Sequence, residues 1–330
     1  MVPLSVLDLS PICEGATPGD ALANSLSLAQ HAESLGYQRY WVAEHHNMRG
    51  IASAATSVVI GHIAGGTKTI RVGAGGIMLP NHAPLVIAEQ FGTLDALHPG
   101  RIDLGLGRAP GTDQLTAQAL RRTLGGSVDS FPQDVLELQA YLGQPQSGQR
   151  VQATPGAGSN VPLWVLGSSL YGASLAAALG LPYAFASHFA PQMMDEAIAL
   201  YRERFKPSEQ LDKPYVMLGF NLVAADTEEE AVLLRSSAEQ AMLNLRRGTP
   251  GPLPPPVKNF RDTLGAMELQ MLDGVSRCAA VGTADQVQSQ LADFVQQTSA
   301  DEVMVVAQIF DHEARLKSYT LAASVMAAAA

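Results

Sequence analysis

The chain has 330 residues, 47% of them hydrophobic and 16% charged, and its 31 acidic and 21 basic side chains give a net charge of −10. That apolar fraction excludes a disordered chain, and the diffuse negative charge argues against nucleic acid or anionic membrane surfaces as partners. Two cysteines, Cys13 and Cys278, cannot build a disulfide framework or a four-thiolate zinc site.

The amino-terminal sequence lacks the basic region and apolar stretch of a secretory signal, and no long uninterrupted apolar run occurs, so a cytoplasmic protein is expected. Leu4 to Leu9 reads as a short buried strand. Thr17-Pro-Gly-Asp20 offers a helix N-cap, a proline at the first position and an acid at the third. Leu22, Leu26, Ala29 and Ala32 keep helical spacing until Gly36, and Tyr40 to Ala43 is the next strand. A helix from about Ala52 to Gly66, a strand from Ile70 to Met78, a helix from Pro84 to Leu97 and a strand from Arg101 to Leu106 follow.

The stretch at about 109–161 shows no clear strand and reads as an insertion with helices near 114–122 and 131–142. Strands resume at Leu163–Leu166, Tyr183–Ala186, Tyr215–Val223 and Glu302–Val306, with helical patterns at about 169–179, 191–205, 226–247 and 284–298. Eight apolar strands, each followed by helical sequence, predict an α/β fold: a single eight-stranded parallel (β/α)8 TIM barrel over residues 1–330. An open doubly wound sheet is the alternative. Arg246 to Gly274 breaks the rhythm with Pro250, Pro252, Pro254, Pro255 and Pro256. This segment is a surface excursion or a lid over the barrel mouth.

In such a barrel, chemistry belongs where strands end. The second strand ends in Glu44-His45-His46-Asn47, the densest cluster of titratable groups in the chain. A histidine there can act as acid or base, and strand alternation turns only one of the pair toward the mouth. The other reading is a pair of rim histidines with satisfied hydrogen bonds. Adjacent histidines are not a usual metal spacing, and His82, His98 and His188 would have to complete a site, so no metal is expected. Gly73-Ala74-Gly75-Gly76 weakens the third strand, which calls for crowding inside the barrel or a flat ligand against bare backbone.

Arg108, just past the fourth strand, suits a phosphate or carboxylate by bidentate hydrogen bonding, or an ion pair with Asp113. Ser168 and Ser169 open a helix, where exposed amides attract anions, although a serine N-cap needs no ligand. The fourth and fifth strands are barrel neighbours, so Arg108 and these serines converge on one place.

With these residues in hand, the chain resembles the bacterial luciferase-like family of flavin-dependent monooxygenases. The matching stretches are Trp41-Val-Ala-Glu-His-His-Asn47, Val72-Gly-Ala-Gly-Gly-Ile-Met-Leu-Pro80, Ala88-Glu-Gln90, His98-Pro-Gly-Arg101-Ile-Asp-Leu-Gly-Leu-Gly-Arg108 and Gly167-Ser-Ser169 through Gly180-Leu-Pro182. They come in order across nearly the whole chain. The resemblance implies a barrel that binds reduced flavin mononucleotide (FMN), supplied by a separate reductase, and uses oxygen on a small-molecule substrate. It also implies a homodimer.

Residue by residue, His45 matches a histidine that assists the oxygen chemistry. Ala74-Gly75 matches a non-proline cis peptide behind the flavin ring. Arg108 matches a phosphate-binding arginine, and Ser169, with Gly172, matches the phosphate loop. Gly107 stands where light-emitting members carry a reactive cysteine, so light emission is not implied. The proline-rich segment is dissimilar, so substrate identity does not transfer. Rival readings are a deazaflavin-dependent hydride-transfer enzyme, a flavin-binding protein without turnover, and a metal-dependent hydrolase.

Overall fold

The computed structural model describes residues 2–109, 114–120 and 130–327. In chain order, β1 (Leu4–Asp8), α1 (Pro18–Ser34), β2 (Arg39–Val42), α2 (Thr56–Gly66), β3 (Arg71–Met78), α3 (Pro84–Leu97) and β4 (Ile102–Gly107) come first. Next are α4 (Gln114–Leu120), α5 (Phe131–Leu142), β5 (Leu163–Gly167), α6 (Leu170–Leu179), β6 (Tyr183–Phe185), α7 (Met194–Arg204) and β7 (Val216–Ala224). The chain then forms α8 (Glu228–Arg246), α9 (Ala266–Asp273), β8 (Ala279–Gly282), α10 (Ala284–Thr298), β9 (Glu302–Val306) and α11 (His312–Ala327). The helix expected near 114–122 reaches Leu120, and Arg121 and Arg122 lie outside the described residues.

Local chemistry sets the element boundaries. The Thr17 hydroxyl accepts from the Asp20 amide at 3.2 Å and the Asp20 carboxylate accepts from the Thr17 amide at 2.8 Å, so the expected cap forms at the start of α1. Gly180 closes α6 in the left-handed conformation at φ 64°.

Parallel pairing runs through β1, β2, β3, β4, β5, β6 and β7, then β7 to β9 and β9 back to β1, which closes an eight-stranded barrel. A ninth strand corrects the count of eight. β8 pairs with Asn221–Ala224 at the end of β7 and stays outside the ring. Its Ala-Ala-Val-Gly sequence is short, with a single β-branched residue, and so gives little strand signal.

The Ala225 amide donates to the Gly282 carbonyl at 3.1 Å, so the chain leaves β7 and returns at one point on the rim. The helix expected after the seventh strand, α8, therefore belongs to the excursion, and α10 completes the strand–helix alternation before β9.

Side-chain alternation divides the core in two. Val6, Tyr40, Val42, Val72, Leu104 and Leu218 point outward against the helices. Leu7, Trp41, Ala43, Trp164, Met217 and Met304 fill the barrel, where the Trp41 and Trp164 rings meet edge to face at 5.1 Å. Beneath them, Arg39 bridges Asp103 at 2.8 Å and Glu302 at 3.0 Å, and Arg71 reaches Asp103 at 2.6 Å. This charged layer closes the end where the strands begin. A second buried pair, Arg315 to Asp8 at 2.8 Å, ties α11 to the outer face of β1. Among the described residues, no helix is long and apolar enough to cross a membrane.

The glycines of β3 are required by crowding. A Cβ at Gly73 would stand 2.6 Å from the Asp103 carbonyl, one at Gly75 2.7 Å from Leu7, and one at Gly76 2.8 Å from the Gly105 carbonyl. The non-proline cis bond joins Gly75 to Gly76, which corrects the expected Ala74–Gly75 position by one residue. Ala74 is still in register with Leu104, and the ladder resumes only at Ile77 with Leu106. The irregular step therefore falls on the two residues without side chains, while Ala74 keeps its Cβ buried among the outer apolar residues.

Candidate active site

At the open end of the barrel, the segments after β2, β3, β4, β5 and β6 carry Glu44, His82, Arg108, Ser168 and His188. Trp41 and Ala43 take the inner parity and Tyr40 and Val42 the outer; carried past the end of β2, the same alternation assigns His45 to the inner side and Glu44 to the outer. Glu44 is buried, and its Oε1 accepts from His46 Nε2 at 2.7 Å and from His82 Nε2 at 2.8 Å. Its Oε2 accepts from the Met78 amide at 3.0 Å. An ionised carboxylate can only accept, so both rings donate. Burial alone would raise the Glu44 carboxyl, but the His82 and His46 contacts and the Met78 amide hold it below the usual carboxylate range. His46 is thereby turned onto Glu44.

Glu44, His46 and His82 also place three potential ligand atoms within 4.8 Å of one another. Both ring nitrogens are already committed to one carboxylate oxygen. The arrangement is that of a satisfied buried carboxylate that ties the end of β2 to the end of β3.

Opposite, His188 follows β6. Its ring occupies the space where a Gly219 side chain would stand, with Nδ1 2.1 Å from the ideal Cβ position. Asn221 Nδ2 donates to the His188 carbonyl at 2.7 Å, and Ser187 Oγ donates to the Gly219 carbonyl at 2.6 Å. His188 Nδ1 is buried and has no hydrogen-bond partner among the described residues. Burial first, and then the neighbouring His45, pushes this imidazole down to about 4, so it is neutral at neutral pH.

Arg108 leaves β4 one residue past Gly107, which pairs with Leu166 of β5. Its guanidinium lies 4.0 Å from the centre of the Tyr171 ring, in the first turn of α6. Asp113, the expected ion-pair partner, lies outside the described residues. Ser169 is the N-cap of α6, extended at φ −144° and ψ 162°, and its side chain makes no capping bond. Ser168 precedes it, half-buried, and Gly172 packs its bare face toward the Tyr183 ring. Arg108, Ser168, Ser169 and Gly172 are therefore gathered at one corner, while His45 lies across the mouth.

The proline-rich segment crosses above this end. Leu253 is buried, donates to the Ile12 carbonyl at 2.8 Å and accepts from the Glu14 amide at 2.9 Å. Gly50 packs directly under Gly251, and Arg246 lies 5.0 Å from the Phe189 ring centre. The segment thus touches the exits of β1, β2 and β6. Sequence reasoning did not find the roles of Glu44, His82 and His188. For His188 a signal existed: it follows a strand end, and Gly219 and Asn221 interrupt the inward parity of an otherwise apolar strand.

The sequence profile of the luciferase-like monooxygenases matches residues 3–302. The chain belongs to that family. A luciferase-like monooxygenase of Escherichia coli (strain K12) is 53% identical over 324 residues, covering 98% of this chain and 97% of its own. The N-acetyl-S-alkylcysteine monooxygenase of Bacillus subtilis (strain 168) is 36% identical over 254 residues, 75% of each chain. Among solved structures, apo-MsnO8 superposes with a TM-score of 0.88 at 36% identity, covering 99% of both chains.

Two more distant structures share the fold at low identity. The oxygenating constituent of 3,6-diketocamphane monooxygenase from Pseudomonas putida, in complex with FMN, has a TM-score of 0.72 at 15% identity and covers 97% of this chain and 96% of its own. An F420-dependent secondary alcohol dehydrogenase has a TM-score of 0.70 at 16% identity and covers 100% and 99%.

Proposed function

We propose that this family member is a flavin-dependent monooxygenase that uses reduced FMN and oxygen to oxygenate a small organic substrate. The observation that carries the reading is the meeting of Arg108 with the open amino end of α6 at the exits of β4 and β5. A guanidinium beside first-turn amides that lack a side-chain cap is a donor set suited to a phosphate monoester. Reduced flavin supplies two electrons, so that one oxygen atom enters the substrate and the other leaves as water.

The chain's own residues bind, orient and manage protons. Arg108, Ser168 and Ser169 hold the phosphate, and Gly172 lets the first turn of α6 pack closely on Tyr183 beside it. His45 holds or moves a proton at its imidazole on the inner side of the mouth. The segment at 246–274 keeps water from the mouth. The chain shows no dinucleotide-binding glycine pattern of its own, so reduced flavin comes from a separate reductase, and the protein works as a homodimer.

Titration with FMN and with a deazaflavin, each followed by oxygen uptake after reduction, tests the reading. FMN binding with oxygen consumption supports it. Selective deazaflavin binding would favour hydride transfer, and binding without turnover would favour a carrier. Arg108→Ala should weaken FMN binding by about 1.5–3 kcal/mol, roughly ten- to a hundredfold. Unchanged affinity would place the phosphate elsewhere.

A further inference from the structure

We propose that Gln308, just past β9, is a substrate-binding residue whose carboxamide hydrogen-bonds an uncharged oxygen function of the substrate, a carbonyl or a hydroxyl. This rests on the monooxygenase reading and adds to it the substrate class, a neutral and mostly apolar molecule.

The inside of the barrel opens just above its tryptophans. Leu7 and Trp164 are buried, whereas Leu9 and Leu166, the next residues on the same parity, are half-buried. Both still pack on the inner cluster, so the surface they leave uncovered faces the mouth. β9 makes the same step, from the buried Val306 to the half-buried Gln308. Ala307 and Ile309, on either side of Gln308, both pack in the outer cluster, and the Ala307 carbonyl accepts from Arg315 Nε at 2.8 Å. Gln308 between them therefore takes the inner side. Its carboxamide makes no hydrogen bond to another described residue.

Position and polarity narrow the ligand. Round the ring, β5, β6 and β7 separate β4 from β9 on one side, and β3, β2 and β1 on the other. Gln308 thus stands on the wall opposite Arg108, away from the phosphate donors at the exits of β4 and β5. On the inner side it is accompanied by Leu9 and Leu166, which offer a ligand only apolar surface. An ionised group placed there would give up its hydration without a counter-charge. A neutral carboxamide suits an apolar body with one uncharged oxygen: its Nε2–H donates to a carbonyl or hydroxyl, and its oxygen accepts from a hydroxyl.

The test uses the full chain, labelled with ¹⁵N and loaded with FMN, and titrates butanone, butan-2-ol and butyrate. The Gln308 side-chain amide pair is assigned by its absence in Gln308→Leu. That pair should move with butanone or butan-2-ol and stay in place with butyrate. Gln308→Leu should weaken the bound probe by about three- to tenfold, the scale of one hydrogen bond. Gln308→Glu, which can only accept, should lose butanone to the same extent and keep butan-2-ol. FMN affinity should stay within about twofold in both variants, since none of the phosphate contacts changes. An amide pair that shifts on FMN binding and no further with any probe would overturn the assignment. So would one that follows butyrate as strongly, or an unaltered probe affinity in Gln308→Leu. If the parent protein binds no FMN, the flavin reading itself fails, and the same titrations without flavin still decide the role of Gln308.

Discussion

At the scale of single residues, the two adjacent histidines are the sharpest case. His46 is spent on the Glu44 carboxylate, whereas His45 keeps the inner parity beside His188. His45→Ala should leave FMN binding within about twofold and lower substrate-coupled oxygenation by about 10²-fold or more, the usual scale of acid–base assistance. Hydrogen peroxide released per flavin oxidised should rise. His46→Ala should instead act on stability, because it removes one of the donors to a buried carboxylate, at a cost of about 1–3 kcal/mol. Peroxide yield and melting temperature of the two variants separate these roles, and a larger peroxide yield from His46→Ala would reverse them. Strand alternation alone is what assigns His45 the inner parity. The partner of His46 was not legible in the sequence, since Glu44 is completed by His82 from the exit of the next strand. The same limit moved the cis bond: a resemblance gives a neighbourhood, and only the ladder between β3 and β4 shows which peptide leaves it.

At the scale of elements, the ring strands and α1 were readable from apolar runs and cap chemistry, and the excursion after β7 was only half read. Its prolines announced irregular backbone, but nothing local announces that β8 returns to β7 or that Leu253 reaches the exit of β1. Both are long-range pairings. Leu253 makes a prediction possible. It is a buried side chain that helps seat the segment, flanked by the exposed Arg246, Arg247 and Lys258. Leu253→Ala should remove about 2–5 kcal/mol of packing, felt locally as easier opening of the segment. Trypsin cleavage at those flanking sites should accelerate, while FMN affinity, set at the exits of β4 and β5, should hold. Cleavage at the parent rate would show that the segment is seated by its backbone and prolines alone.

For the whole molecule, the buried ionisable groups predict the shape of acid unfolding. His188 is held neutral in the fold, down to about 4, by burial and by His45. His312 is lowered by burial and by Arg315, and His98 by burial and by Arg101. In the unfolded chain each titrates near its ordinary value of about 6.5. Between about pH 6.5 and 4 the unfolded chain therefore binds protons that the fold refuses, and stability falls as pH falls. Asp8 and Glu44 act in a lower window. Burial would raise both carboxyls, yet Arg315, Ser25 and Tyr40 around Asp8 hold it below the usual range, as His82, His46 and Met78 do for Glu44. Their stabilisation persists until pH reaches the ordinary carboxylate value of about 4 and is lost below it. Two successive losses should appear in denaturant midpoints measured from pH 7 to pH 3. His188→Gln should flatten the upper one by at most about 1.4 kcal/mol per pH unit, one proton's share, and leave the lower one unchanged. An upper slope identical to that of the parent protein would mean that His188 takes up its proton in the folded barrel as readily as in the unfolded chain.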